Sequence, residues 1–155
     1  MNPPASTSSF PSAGRSLHIL YADDMRQLRE LMSLMLADEG HRIETVGDGA
    51  EALERLAKSL ADYDLLITDH HMPRLNGLEL VRQARALRYP GKIIIFSSEL
   101  NPAVHEKYRQ FAVDLILPKP IFPLTLRRML EQLFVSGNPE AGPQRNASRS
   151  PHAGD

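Results

Sequence analysis

Two rhythms of apolar and polar positions alternate through the middle of the chain. Short, almost unbroken apolar runs stand at Leu17–Ala22, Leu65–Thr68, Ile93–Phe96 and Leu115–Leu117, with a weaker one from His41 to Val46 around Ile43 and Val46. Continuous runs of this kind mark strands buried on both faces of a parallel sheet. Between them the apolar residues recur at helical spacing. Leu28, Leu31, Met32, Met35 and Leu36 form the first such stripe. The others are Ala50, Leu53, Leu56, Ala57 and Leu60; Leu78, Val81, Ala84 and Leu87; Val104, Tyr108 and Phe111; and Leu126, Met129, Leu130, Leu133 and Phe134. Stop and start signals agree. Asp24 is a candidate N-cap, Gly40 a left-handed stop, and Gly47-Asp48-Gly49 a turn. Pro90-Gly91 ends the third helix, and Asn101-Pro102 opens the fourth. Strand–helix alternation at these lengths predicts right-handed βαβ units, hence an α/β fold with a doubly wound, five-stranded parallel sheet and five helices.

The pattern also sets the domain boundaries. Residues 1–16 and 137–155 are rich in Pro, Ser, Ala and Gly and carry no periodicity, so they read as a disordered leader and tail around one domain at 17–136. At 155 residues the chain is long enough to bury a substantial core. A net charge of −1 argues against a direct nucleic-acid footprint. No apolar run has the length of a membrane span, and the N-terminus lacks a basic region leading into an apolar one. The absence of cysteine excludes disulfide and thiol chemistry. A cytoplasmic protein is the expectation.

Polar groups of complementary kinds follow the apolar runs. Asp23 and Asp24 follow the first, Asp69 the third, Ser97 and Ser98 the fourth, and Lys119 the fifth. In an open α/β sheet, ligand sites lie just outside the carboxyl ends of the strands. Three carboxylates brought together there would repel one another. Mg²⁺ removes that conflict, because it takes oxygen ligands and suits one or two carboxylates plus a phosphate. Lys119 adds a point cation and Ser97 a hydroxyl. Together these groups match what a phosphoryl group needs, with Asp69 as acceptor nucleophile.

From Leu17 to Phe134 the chain resembles the receiver domain of two-component response regulators, close to single-domain chemotaxis regulators. The resemblance rests on Ala22-Asp23-Asp24, Asp69-x-x-Met72-Pro73 with Asn76-Gly77, Ser97, and Lys119-Pro120. It implies a flavodoxin-like sheet of order 2-1-3-4-5. It further implies phosphorylation of Asp69 by a sensor histidine kinase, a histidine phosphotransfer protein or a small phosphodonor. Mg²⁺ would be held by Asp23 or Asp24, Asp24 more directly, with Asp69 and the backbone carbonyl of His71. Ser97 would sense the phosphate, Lys119 would contact it, and the Lys119-Pro120 peptide would be cis. A downstream protein would bind the face built from the fourth helix, fifth strand and last helix. The only catalysis expected is self-phosphorylation and slow self-dephosphorylation, with His71 and Glu99 bordering the path of water.

Three positions depart from the family. Ile116 stands where a switching Tyr or Phe is usual, Ser98 where Ala is common, and Pro118 before the lysine is less usual. Ile116 predicts a weaker switch and leaves open a module that binds partners without phosphate. An aspartyl-phosphate phosphatase of the haloacid-dehalogenase type would carry a second aspartate two residues after the nucleophile; here that residue is His71. His70 and His71 invite a transition-metal reading. Neighbours on an extended segment point opposite ways, however, so at most one could face a metal. Met32 and Met35 read as core, and Arg127-Arg128 as a solvated face. A separate protein, a relay intermediate and a piece of a larger regulator or hybrid kinase all fit.

Overall fold

The computed structural model describes residues 15–98 and 101–135. The expected leader and tail lie outside them, apart from Arg15 and Ser16, and so does Glu99. The elements run β1 (His18–Ala22), α1 (Arg26–Asp38), β2 (Arg42–Val46), α2 (Gly49–Lys58), β3 (Leu65–Asp69), α3 (Gly77–Ala86), β4 (Lys92–Ser97), α4 (Pro102–Arg109), β5 (Leu115–Pro118) and α5 (Pro123–Val135). The five strands form one parallel sheet in the order β2-β1-β3-β4-β5, as expected.

Strand side chains alternate between two cores. Leu20, Ala22, Leu66, Ile93 and Ile95 face one side, where Ala52 and Leu56 of α2, Leu80, Val81 and Ala84 of α3, and Tyr108 of α4 cover them. Ile19, Tyr21, Leu65, Ile67, Ile94 and Phe96 face the other, under Met32 and Leu36 of α1 and Leu126 and Leu130 of α5. The central strands are thus apolar on both faces, which is why their sequences do not alternate.

Helix ends depart from expectation in two places. Asp24 does not cap α1; Met25 occupies the N-cap position with no side-chain hydrogen bond. The Met25 N–H instead donates to Asp23 Oδ1 at 2.9 Å. α3 ends before Pro90-Gly91, at Ala86, with Arg88 in the left-handed region at φ 64 and Tyr89 N–H donating back to Ala84 O at 3.0 Å. Gly40, at φ 88, is the left-handed stop of α1 as read. Asp48, Asn76 and Asn101 cap α2, α3 and α4 through their side chains.

The helix stripes are also narrower than the spacing suggests. Leu31 is 54% exposed, as the outer flank of the α1 stripe, and Ala57 and Leu87 lie in solvent too. Leu80, absent from the predicted α3 stripe, is fully buried because it sits a turn from Ala84 on the face that meets the sheet.

Candidate functional site

The carboxyl edge of the sheet collects the charged groups. Residues two apart in a strand share a face, so Tyr21 and the residue just past the end of β1, Asp23, point the same way. Asp23 is fully buried. Its Oδ2 accepts hydrogen bonds from the Tyr21 hydroxyl at 2.6 Å and from Lys119 Nζ at 3.2 Å, and its Oδ1 accepts the Met25 N–H. Arg29 donates to the Asp23 carbonyl at 2.8 Å. Asp69 closes β3, also buried, with Oδ2 3.1 Å from Lys119 Nζ. The ammonium therefore bridges two buried carboxylates contributed by different strands. The third, Asp24, is exposed. One carboxylate oxygen from each of Asp23, Asp24 and Asp69 lies within 4.8 Å of the other two. Among the described residues this is the cluster suited to a metal ion, and no histidine belongs to it. Three hard oxygen donors, one open to solvent, fit Mg²⁺.

The electrostatics follow from burial and crowding. Burial pushes the Asp69 carboxyl above its ordinary range; Lys119 pulls it down, and Asp23 pushes it up again. Burial works against the charge of Lys119, but the Asp23 and Asp69 carboxylates outweigh it and raise the ammonium's pKa. Burial and the bond to Asp23 raise the Tyr21 phenol far out of the physiological range, so it stays a proton donor.

Ser97 ends β4 and is buried. The register pairs Asp69 with Phe96 and Ser97 with Pro118, which sets Ser97 at the same edge between the ends of β3 and β5. The Lys119 N–H donates to the Ser97 carbonyl at 2.9 Å, and the Lys119-Pro120 peptide is cis. His70 and His71 do not point opposite ways, because β3 ends at Asp69 and the alternation of a strand no longer holds. Their rings meet edge-on at 4.6 Å between centroids, with His71 exposed and His70 buried, its Nδ1 2.5 Å from the Tyr108 hydroxyl. Gly77 permits this packing. A Cβ there would stand 2.3 Å from the Asp69 carbonyl and 2.9 Å from the Tyr108 hydroxyl. Ile116 is half-buried and packs against the core that holds Tyr108.

Residues 19–131 match the family model of the response regulator receiver domain. The chain belongs to that family. It is 30% identical over 133 residues to the sensory/regulatory protein RpfC of Xanthomonas campestris, covering 83% of this chain and 18% of that protein. It is 31% identical over 134 residues to the response regulator MprA of Mycobacterium bovis, covering 86% and 57%. The receiver domain thus spans less than two thirds of these curated relatives. Its fold is similar to that of the chemotaxis protein CheY4 of Vibrio cholerae, with a TM-score of 0.69, 30% identity and coverage of 76% of this chain and 98% of that one. It is similar also to the receiver domain of a sensor histidine kinase of Pseudomonas aeruginosa, with a TM-score of 0.69, 25% identity and coverage of 79% and 99%. That structure carries a magnesium ion coordinated in its active-site cleft. Receiver domains are signalling modules of two-component systems rather than enzymes in general. They bind Mg²⁺ in their acidic site and interact with histidine kinases and downstream effectors.

The structure of this receiver domain brings Asp23, Asp24, Asp69 and Lys119 into one cluster and sets Ser97 beside it. Two further residues escaped the reading of the sequence. Tyr21 counted only as filler in an apolar run, although a buried tyrosine needs a partner for its hydroxyl and Asp23 stands two residues on. Tyr108 counted as helix core, and its bond to His70 joins residues too distant in sequence for any spacing rule to find. Among the described residues no helix is long and apolar enough to cross a membrane.

Proposed function

We propose that this receiver domain accepts a phosphoryl group on Asp69 from the phosphohistidine of a sensor histidine kinase or a histidine phosphotransfer protein. The observation that carries the proposal is the Lys119 ammonium held 3.1 Å from Asp69 and 3.2 Å from Asp23, with the exposed Asp24 completing the acidic cluster. Asp24, Asp69 and the His71 carbonyl would hold Mg²⁺, with Asp23 beside them. Bound there, the cation supplies charge neutralisation for the phosphoryl oxygens. An Asp69 oxygen attacks phosphorus, forming an O–P bond, while the N–P bond of the donor breaks and its electron pair returns to the imidazole. Lys119 pairs with a phosphoryl oxygen, and the Ser97 hydroxyl donates to another. Attack by water later restores the carboxylate and releases phosphate. The output is altered binding of a downstream protein at the face of α4, β5 and α5. On this reading the domain works in the cytoplasm, beside the kinase's phosphohistidine, with no direct role for nucleic acid or membrane.

Incubation with acetyl phosphate and Mg²⁺, followed by mass measurement, tests the proposal. The expected result is one phosphoryl group on the parent and none on Asp69→Asn. An unmodified parent, or a variant modified as fully as the parent, would refute it.

A further inference from the structure

The phosphoryl-transfer scheme leaves the Tyr21 hydroxyl unused. Tyr21 is fully buried on β1, and its hydroxyl sits 2.6 Å from Asp23 Oδ2. An ionised carboxylate only accepts hydrogen bonds, so the phenol must donate. A carboxylate offers about four acceptor sites, and at Asp23 this chain fills three of them, with Tyr21, Lys119 and the Met25 N–H. The phenol and the ammonium share the same oxygen. The Tyr21 ring is held in turn, edge-on to Phe96 at 5.8 Å between centroids, immediately before Ser97.

We propose that Tyr21 is a positioning residue for phosphoryl transfer: its hydroxyl fixes the Asp23 carboxylate, and through it the placement of Lys119 between Asp23 and Asp69. The inference rests on the reading of Asp69 as phosphoacceptor and extends it to a residue that touches neither phosphate nor cation. The physical argument is a division of charge. With the phenol in place, part of the Asp23 charge is engaged by a neutral donor, and the ammonium is divided between two carboxylates at nearly equal distances. Without it, a fully buried carboxylate oxygen loses a donor that water cannot replace. Asp23 then draws Lys119 away from Asp69 and gains freedom to rotate, so the acidic cluster is less well ordered for a cation.

The test follows Mg²⁺ binding to the unphosphorylated chain through the amide of Met25, which reports on Asp23 Oδ1. Parent, Tyr21→Phe, Asp23→Asn and the double variant are titrated. Tyr21→Phe keeps the ring and its packing, and is expected to weaken Mg²⁺ binding roughly three- to tenfold, less than the full contribution of one hydrogen bond to a charged group because the effect reaches the cation only through Asp23. In the Asp23→Asn background the same change should add no further loss, because Tyr21 acts through that carboxylate. An undiminished affinity in Tyr21→Phe, or an equal loss in both backgrounds, would overturn the role. If Tyr21→Phe does not fold, the parent still decides. A downfield hydroxyl proton resonance from Tyr21 that shifts on Mg²⁺ addition is expected, and its absence or indifference to Mg²⁺ would overturn the inference. A parent that neither binds Mg²⁺ nor takes phosphate from acetyl phosphate sinks the phosphoacceptor reading and this inference with it. A parent that does both while Tyr21→Phe matches it sinks the Tyr21 role alone.

Discussion

Asp23 and Asp24 are neighbours with opposite surroundings, and the difference assigns them different tasks. Asp23 is buried and engaged by three donors, whereas Asp24 is open to solvent, with its carboxylate in the cluster rather than on the N-terminus of α1. Asp24 should therefore be the more direct ligand. Asp24→Ala is expected to weaken Mg²⁺ binding by about tenfold or more, as for removal of a group in contact with a charge. A calorimetric titration in which the variant binds as tightly as the parent would refute the assignment. The sequence made Asp24, Asp69 and Lys119 legible because each follows its own apolar run, at the edge where an open α/β sheet presents its ligand groups. It misled on Asp24 as a cap, since Asp after a strand and before a helix fits both roles. Spacing says nothing about which way the carboxylate turns.

Whole strands and helices were more legible than their edges. Unbroken apolar runs can only be satisfied by burial on both faces, so β1, β3 and β4 stand where they were read, within a residue or two. Helix ends were harder, because left-handed φ at Arg88 replaces the expected glycine signal. The connection between elements was hardest, and it bears on the switch. Ile116 of β5 has no polar tip and is stiff at χ1, so β5 and α5 should respond modestly to phosphorylation. The fourth helix has a tie of its own: Tyr108, fully buried, bonds to His70, the residue next to Asp69. A ligand shifts a conformational equilibrium only through contacts that differ between states, and this contact connects α4 to the phosphoacceptor loop. Addition of beryllofluoride with Mg²⁺ should therefore move amide resonances of the loops around Asp69, Ser97 and Lys119 strongly. It should move α4 measurably and α5 little. In Tyr108→Phe the α4 shifts should fall toward those of α5 while the loop shifts persist. Equal shifts in α4 and α5 of the parent, or an unchanged α4 response in the variant, would show that the tie transmits nothing.

The molecule as a whole divides its sheet between two ends, with the reactive cluster at the carboxyl edge and a separate set of polar ties at the amino edge. At the amino edge Asp64 accepts the His18 N–H at 2.8 Å, and Ser16 donates to the Gly40 carbonyl at 2.7 Å. His41 accepts the Leu17 N–H on Nδ1 at 3.1 Å, which joins the approach to β1 with the approach to β2. Protonating Nδ1 would abolish that bond. Burial lowers the His41 pKa below its ordinary value of 6.5. A group whose folded pKa is depressed contributes stability that is complete above its unfolded pKa and is lost as pH falls through the folded one. Stability should thus hold above pH about 6.5 and decline below it. Glu39, with Oε2 4.0 Å from His41 Nε2, acts in the opposite sense at lower pH. Burial, partly offset by Arg127 and reinforced by Glu131 and Asp38, raises its pKa, so its protonation relieves a cost as the solution becomes acidic. Substitution of His41 separates the two. His41→Asn keeps an acceptor where Nδ1 stood and removes the titration. Urea unfolding at a series of pH values between neutrality and mild acid should show a falling midpoint for the parent, with a shallower fall for His41→Asn. Parallel curves would remove His41 as the cause and leave the acid sensitivity to the carboxylates.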